Sequence, residues 1–291
     1  MASTQAEDAQ RLYDCRGAKY DDSFHPRFAR HMVELIQPQA GEHVLDLACG
    51  TGLVSYRAST AVGSGSVTGV DISRGMLAEA ETKRSMHRPP NVTFHRHSIT
   101  ELDSLAALRG RQFDVITCCS ALVLFPYPGD VLKQWVPYLK SGGRLIVDVT
   151  HPQNLTAGII CEKVGNILSR PVPWSRLNFT KPEDLQTIME AAGLQRVKVI
   201  LMSQLGEANG RLEDCIRPSF SQPKIHQEHE IADADSIFEK MVATEPLKHL
   251  ASPDIREKAR GVFQDEWRKA ANEAGKVLEI DGVFMGIGYK K

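Results

Sequence analysis

Between residues 43 and 149, short runs of aliphatic and β-branched residues alternate with stretches whose apolar positions recur every three to four residues. That alternation predicts strands and helices in turn, the pattern of a parallel sheet covered on both faces. The strand runs fall at 43–48, 66–71, 91–95, 113–119 and 144–149, and two later runs, 195–202 and 282–289, bring the expected count to seven. Helical spacing predicts helices at 53–61, 73–86, 100–108 and 130–138, the second capped by Ser73 and the fourth ended by Gly142 and Gly143. The expected fold class is therefore α/β, a doubly wound and mostly parallel seven-stranded sheet.

Two stretches fall outside this repeat. Residues 1–40 carry Phe28, Met32, Val33, Leu35 and Ile36 at the spacing of one apolar helix face, which predicts an N-terminal helical cover. Residues 205–281 lie between the last two strands and are too many for a structureless loop in a compact domain. Helices predicted at 232–242 and 255–274 make them a folded insertion, expected to act as a lid. The expected division is a cover at 1–40, a core of 41–204 with 282–291, and an insertion at 205–281. In the insertion, Phe220, Phe238, Met241, Phe263 and Trp267 have the spacing of helix cores; any that faced the sheet would line a dry pocket.

Composition narrows the function classes. With 42% hydrophobic and 24% charged residues over 291 positions, the chain is of globular type and not disordered. Its 35 Lys and Arg against 36 Asp and Glu leave a formal charge of -1, which excludes nucleic acid or a bilayer held by net charge. The longest apolar runs, such as 116–126, fall short of the roughly 20 residues a membrane-spanning helix requires. Residues 1–10 are polar and acidic and do not form a basic-then-apolar secretion signal, so a cytoplasmic location is expected. The six cysteines form no C-x-x-C pair and read as reduced thiols, and no metal set is recognisable.

The chemistry is concentrated in Val44-Leu45-Asp46-Leu47-Ala48-Cys49-Gly50-Thr51-Gly52, a buried strand running into a glycine turn and then a helix. Glycines there let the backbone approach a ligand, and the helix start behind them offers N–H donors. Nineteen residues after Gly52 the second strand ends in Asp71, where a carboxylate can accept both hydroxyls of a ribose diol. A nicotinamide dinucleotide and S-adenosylmethionine both carry such a ribose. A dinucleotide turn takes a third small residue where Ser55 stands, and it has no use for an acid inside the first strand, where Asp46 requires a cationic or multiply donating partner.

These residues resemble the class I S-adenosylmethionine-dependent methyltransferases, in particular their small-molecule group typified by ubiquinone and menaquinone biosynthesis. The first motif is matched by Asp46 to Gly52, and the second by Asp71-Ile72-Ser73 with Met76-Leu77. Phe113-Asp114 opens the fourth strand and Leu139-Lys140-Ser141-Gly142-Gly143 precedes the fifth. The resemblance implies a Rossmann-like methyltransferase fold and S-adenosyl-L-methionine as cofactor. Carried over, it implies Asp46, Ala48 and Gly50, with Cys49 and Gly52 of the same turn, at the amino-acid end, Asp71 at the ribose, and Ile72 and Met76 against adenine. Where the family often has Gly-Asp-Ala after the third strand, this chain has His97-Ser98-Ile99, leaving Ser98 and the Ile99 N–H to meet adenine. Tyr20-Asp21 looks like the Tyr-Asp pair placed over the cofactor's carboxylate, and Ser120 ends the fourth strand beside the cofactor.

The acceptor side is sparser. The Cys118-to-Phe125 edge is apolar, and His151 follows the fifth strand at the pocket mouth, so His151 is the expected general base, with His25 next. No Asn-Pro-Pro-Tyr sequence follows the fourth strand, which argues against methylation of adenine or glutamine amides. The expected function is methyl transfer to a small, rather apolar natural-product or quinone-type acceptor, most readily at oxygen, with carbon and nitrogen open. The alternative is a protein that keeps this fold for binding, scaffolding or another reaction.

Overall fold

The computed structural model describes residues 5–87, 89–203, 211–221, 223–243 and 245–291. The first four residues of the expected cover and the expected junction of core and insertion at 204–205 lie outside the described residues. Three helices precede the sheet, α1 (Gln5–Asp14), α2 (Gly17–Tyr20) and α3 (His25–Ile36). The apolar face of α3 is buried as its spacing predicts, with Phe28, Met32 and Val33 packed inward and Pro26 in the first turn.

The repeat then runs β1 (His43–Leu47), α4 (Leu53–Val62), β2 (Ser66–Asp71), α5 (Arg74–His87), β3 (Val92–Arg96), β4 (Phe113–Cys118), α6 (Pro128–Trp135) and β5 (Leu139–Thr150). It continues through α7 (Thr156–Ile167), α8 (Pro182–Ala191) and β6 (Leu194–Ser203). Next come α9 (Leu212–Cys215), β7 (Ile216–Pro218), β8 (Ile225–Glu230), α10 (Ala234–Val242), α11 (Arg256–Ala270), β9 (Lys276–Ile280) and β10 (Gly282–Lys290). The main sheet has the order β3-β2-β1-β4-β5-β10-β6-β7. Strands β1 to β5 pair in parallel, whereas β10 lies antiparallel between β5 and β6. The seven expected strands are all present, and the eighth, β7, is a three-residue addition paired with β6 at the sheet edge.

Side chains alternate across the sheet with period two. Leu45, Ile116 and Val147 face a core shared with α6 and α8, and Val44, Val115 and Ile146 face one shared with α3 and α4. Because both faces are covered, the central strands read as continuous apolar runs. The sheet order turns back on itself between β1 and β4, so the ends of those two strands open a crevice, the place where doubly wound sheets hold ligands.

Several expectations require correction. The helix expected at 100–108 is two 3-10 turns, Leu102–Ser104 and Ala106–Leu108. Gly142 and Gly143 do not end a helix: α6 passes into a 3-10 turn at Val136–Tyr138, where Pro137 has no N–H to continue the ladder, and the glycines sit in the irregular start of β5. Helix α7 gave no amphipathic signal because it is buried on several sides, from Gly158 to Glu162 and again at Val164. The insertion is not purely helical, since β8 and β9 form a separate two-stranded sheet. It has its own hydrophobic core, in which Phe238, Phe263, Trp267 and Val277 pack against Ile160, Cys161 and Val164 of α7. Its buried aromatic rings are thus helix core, while Phe220 is 86% exposed.

Candidate functional site

The strand ends build one cleft. Ala48 and Gly50 come from the turn after β1, Ile72, Ser73 and Met76 from the end of β2 and the start of α5, and Ser98 and Ile99 from the segment after β3. Cys119, Ser120, Ala121, Leu124 and Phe125 follow β4, and Tyr13 and Tyr20 close the cleft from the cover. A recess off its floor shares Tyr20, Ala48, Gly50 and Cys119 and adds Asp46, Cys49 and His25. Of the residues expected at the cofactor, only Gly52 lines neither part. It stands behind the turn at φ 81, where a Cβ would meet the Tyr56 ring at 2.8 Å.

Two carboxylates organise the turn. Asp71, 8% exposed, accepts the Gly50 N–H on one oxygen and the Ser73 N–H on the other, both at 2.8 Å, which pins the glycine turn to the end of β2. Each oxygen keeps a second acceptor site for a hydroxyl. Burial raises its pKa against the pull of those N–H groups. Asp46, 1% exposed, accepts the Ser55 hydroxyl at 2.6 Å and the Thr117 hydroxyl at 2.7 Å. Ser55, which departs from the dinucleotide pattern, is therefore one of the donors that Asp46 requires. Burial lifts Asp46 to about 6 despite both bonds.

The cover is tied to this machinery by acids next to its two tyrosines. Asp14 accepts the Ser73 hydroxyl at 2.8 Å and the Gly75 N–H at 3.1 Å, beside Tyr13. Asp21 accepts the Thr51 hydroxyl at 2.6 Å and pairs with Lys83, which also donates to the Thr51 carbonyl at 3.0 Å. So of the Tyr20-Asp21 pair, Tyr20 faces the cleft and Asp21 locks the glycine turn and α5 to the cover. Ser73 caps α5 through the Met76 N–H at 3.1 Å, as expected. Trp135 Nε1 donates to the Ile99 carbonyl at 2.8 Å and fixes the segment after β3.

The two histidines differ in placement. His25 reaches the recess, stacked on Tyr20 with ring centroids 4.0 Å apart and Nδ1 2.6 Å from the Ser23 hydroxyl. His151 does not line the cleft or its recess; its Nδ1 accepts the Gln153 N–H at 3.2 Å and its ring lies against Phe284. Burial pulls both imidazoles down to about 4, so both are neutral at pH 7. Sequence reasoning missed Tyr13, which no pattern marked, and Asp148, which an acid inside the apolar run 145–149 did mark. Asp148 is 4% exposed, accepts the Ser120 N–H at 2.6 Å and holds that residue at φ 56; burial lifts its pKa to about 7. Among the described residues, none from the insertion lines the cleft or its recess. Among the described residues no His, Cys, Asp and Glu cluster is placed to hold a metal, and no helix is long and apolar enough to cross a membrane.

A family described as a methyltransferase domain matches residues 38–193, more than half of the chain. A ubiquinone biosynthesis O-methyltransferase of Ralstonia nicotianae is 30% identical over 166 residues, 56% of this chain and 67% of the relative. An aklanonic acid methyltransferase of a Streptomyces species is 31% identical over 145 residues, 49% of this chain and 62% of the relative. Among solved structures, a cyclopropane-fatty-acyl-phospholipid synthase-like protein from Lactobacillus casei superposes with a TM-score of 0.57 at 16% identity, covering 90% of each chain. At that identity the likeness concerns the fold alone.

Proposed function

The chain belongs to the methyltransferase domain family of S-adenosylmethionine-dependent enzymes, and on that premise we propose that it methylates an oxygen of a small, largely apolar molecule of quinone or natural-product type. The observation that carries the reading is the division of one cleft into a polar end, with Asp71 and the Asp46 recess, and an apolar wall of Ala121, Leu124 and Phe125. One relative is named for ubiquinone biosynthesis and another for aklanonic acid, and both support such an acceptor only by similarity.

The residues present fit the cofactor. Asp71 would take the ribose hydroxyls, Ile72, Met76, Ser98 and Ile99 the adenine, and Tyr20, Asp46, Ala48, Cys49 and Gly50 the amino-acid end. Gly52 holds the turn from behind, and Ser120 stands where the polar and apolar parts meet. S-adenosylmethionine supplies an electrophilic sulfonium methyl group. The chain's own contribution is positioning and desolvation: the apolar wall strips water from the acceptor oxygen, and Tyr13 and Tyr20 shut the cleft from the cover. With pKa values near 4, His25 and His151 are weak bases, so an acceptor oxygen that arrives ionised suits this site better than one awaiting deprotonation. If a base acts, His25 in the recess is better placed than His151.

Incubating the protein with trideuteromethyl-labelled S-adenosylmethionine and a panel of phenolic, quinone-type and polyketide acceptors tests this. The expected product carries one labelled methyl group on oxygen by mass and NMR. A label on carbon or nitrogen would reject the oxygen assignment, and turnover without methyl transfer would reject the reading.

A further inference from the structure

His25 lines the recess that also holds Asp46, and the way the cover grips its ring fixes what that ring offers. The imidazole is stacked with the Tyr20 ring, centroids 4.0 Å apart, and with the Phe24 ring at 4.2 Å. Its Nδ1 lies 2.6 Å from the Ser23 hydroxyl. That hydroxyl is 2.7 Å from the Tyr20 carbonyl, which only accepts, so its single proton is spent there. Towards His25 the Ser23 oxygen is therefore an acceptor, and the imidazole proton sits on Nδ1. Burial keeps the ring neutral at pH 7, so Nε2 carries a bare lone pair.

Nε2 has no protein partner among the described residues, and with Nδ1 and the ring faces engaged it is the polar atom left for the recess. Asp46 lines the same recess; its oxygens accept the Ser55 and Thr117 hydroxyls and keep acceptor sites to spare. Among the described residues no Lys or Arg lines the recess. A carboxylate entering it would meet an acid and a lone pair, whereas an ammonium, with three N–H donors, would find an acceptor in each. The recess shares Tyr20, Ala48, Gly50 and Cys119 with the cleft, so a group bound in it remains joined to a molecule lying in the cleft.

We propose that His25 Nε2 accepts a hydrogen bond from the α-ammonium of S-adenosylmethionine, with Ser23 holding the imidazole in the required tautomer, so that the recess takes the ammonium and turns the cofactor's carboxylate away. The proposal deepens the methyl-transfer reading and rests on it. His25 is then a cofactor-binding residue. Engaged in this way, Nε2 takes no proton from the acceptor, in keeping with an acceptor oxygen that arrives ionised. Tyr20 has two parts in the arrangement, since its carbonyl draws off the Ser23 proton and its ring packs on His25.

Calorimetric titration of the full chain with S-adenosylhomocysteine and two analogues of it, one lacking the amino group and one lacking the carboxylate, tests it. His25→Phe keeps a flat ring for the stack and removes the acceptor. A charge-assisted hydrogen bond of about 1.5 to 3 kcal/mol predicts that this variant binds S-adenosylhomocysteine and the decarboxylated analogue about 10- to 150-fold more weakly than wild type. The deaminated analogue is expected to bind both proteins alike. A readout free of any substitution is nitrogen NMR of histidine-labelled wild type at pH 7. The proton is expected on Nδ1 of His25, and the Nε2 resonance is expected to move on adding S-adenosylhomocysteine and to stay in place with the deaminated analogue. Equal weakening of all three ligands in His25→Phe, weakening confined to the ligands that carry a carboxylate, no weakening, a proton on Nε2 in wild type, or an Nε2 resonance unmoved by S-adenosylhomocysteine would each overturn the proposal. Failure of wild type to bind S-adenosylhomocysteine would instead refute the underlying reading.

Discussion

Asp71 lines the cleft, Asp46 its recess, and Asp148 holds cleft-lining Ser120 from behind; each of these buried acids is held above the usual carboxylate range chiefly by burial. Asp148 has a folded pKa of about 7 against an ordinary 3.8, so its contribution favours the folded state below pH 4 and is lost as pH rises through 7. Asp148→Asn keeps an acceptor for the Ser120 N–H, and should match wild type near pH 4 and exceed it in stability at pH 8 by about 2 to 4 kcal/mol. Denaturant melts at the two pH values check this; equal stability at pH 8 would contradict it. Asp46 titrates at about 6, and a cationic ligand binds its ionised form best. S-adenosylmethionine affinity should therefore fall as pH drops from 8 to 5, and Asp46→Asn should bind more weakly at pH 8 and show little pH dependence. Asp46 and Asp71 were legible because a charge inside or at the end of an apolar strand needs a reason. Tyr13 was not, since a lone tyrosine on a short polar helix has no neighbour in sequence that reveals which side it faces.

Among the elements, those that flank the cleft follow the sequence closely because their signals are local: alternation in the strands, a serine cap before α5 and glycines after β1. What sequence could not supply is the docking of the cover, which depends on partners far apart in the chain, Asp14 with Ser73 and Asp21 with Thr51 and Lys83. Asp21→Ala removes an acceptor from Thr51 and a partner from Lys83 without touching the strands. Faster amide exchange confined to residues 17–28 is expected, with S-adenosylmethionine binding weakened because Tyr20 adjoins the lost contact, while the melting temperature moves little. Unchanged exchange there would show that Asp21 does not hold the cover down. The insertion was misread in part for the same reason: β7 is defined by its pairing with β6, and the short β8 by pairing with β9, not by patterns of their own.

The whole molecule combines two cores on the faces of the main sheet with a third inside the insertion, and the third reaches the rest of the protein through α7. Trp267 is fully buried in that third core, between Phe263 and the ring of His229. Truncating it to alanine should cost about 3 to 5 kcal/mol in stability, yet leave S-adenosylmethionine affinity near wild type below the melting range, because none of the insertion's described residues lines the cleft. A parallel loss of affinity at a temperature where the variant is folded would mean that the insertion shapes the cofactor end. The account as a whole stands on Asp71, which joins the glycine turn to the end of β2 and faces the cleft. Calorimetric titration of S-adenosylmethionine into wild type and Asp71→Ala tests it most directly. Saturable binding to wild type is predicted, weakened by roughly 30- to 150-fold in the variant as a charge-assisted contact of about 2 to 3 kcal/mol is lost. Equal affinity in a folded Asp71→Ala protein, or no binding to wild type, would contradict it.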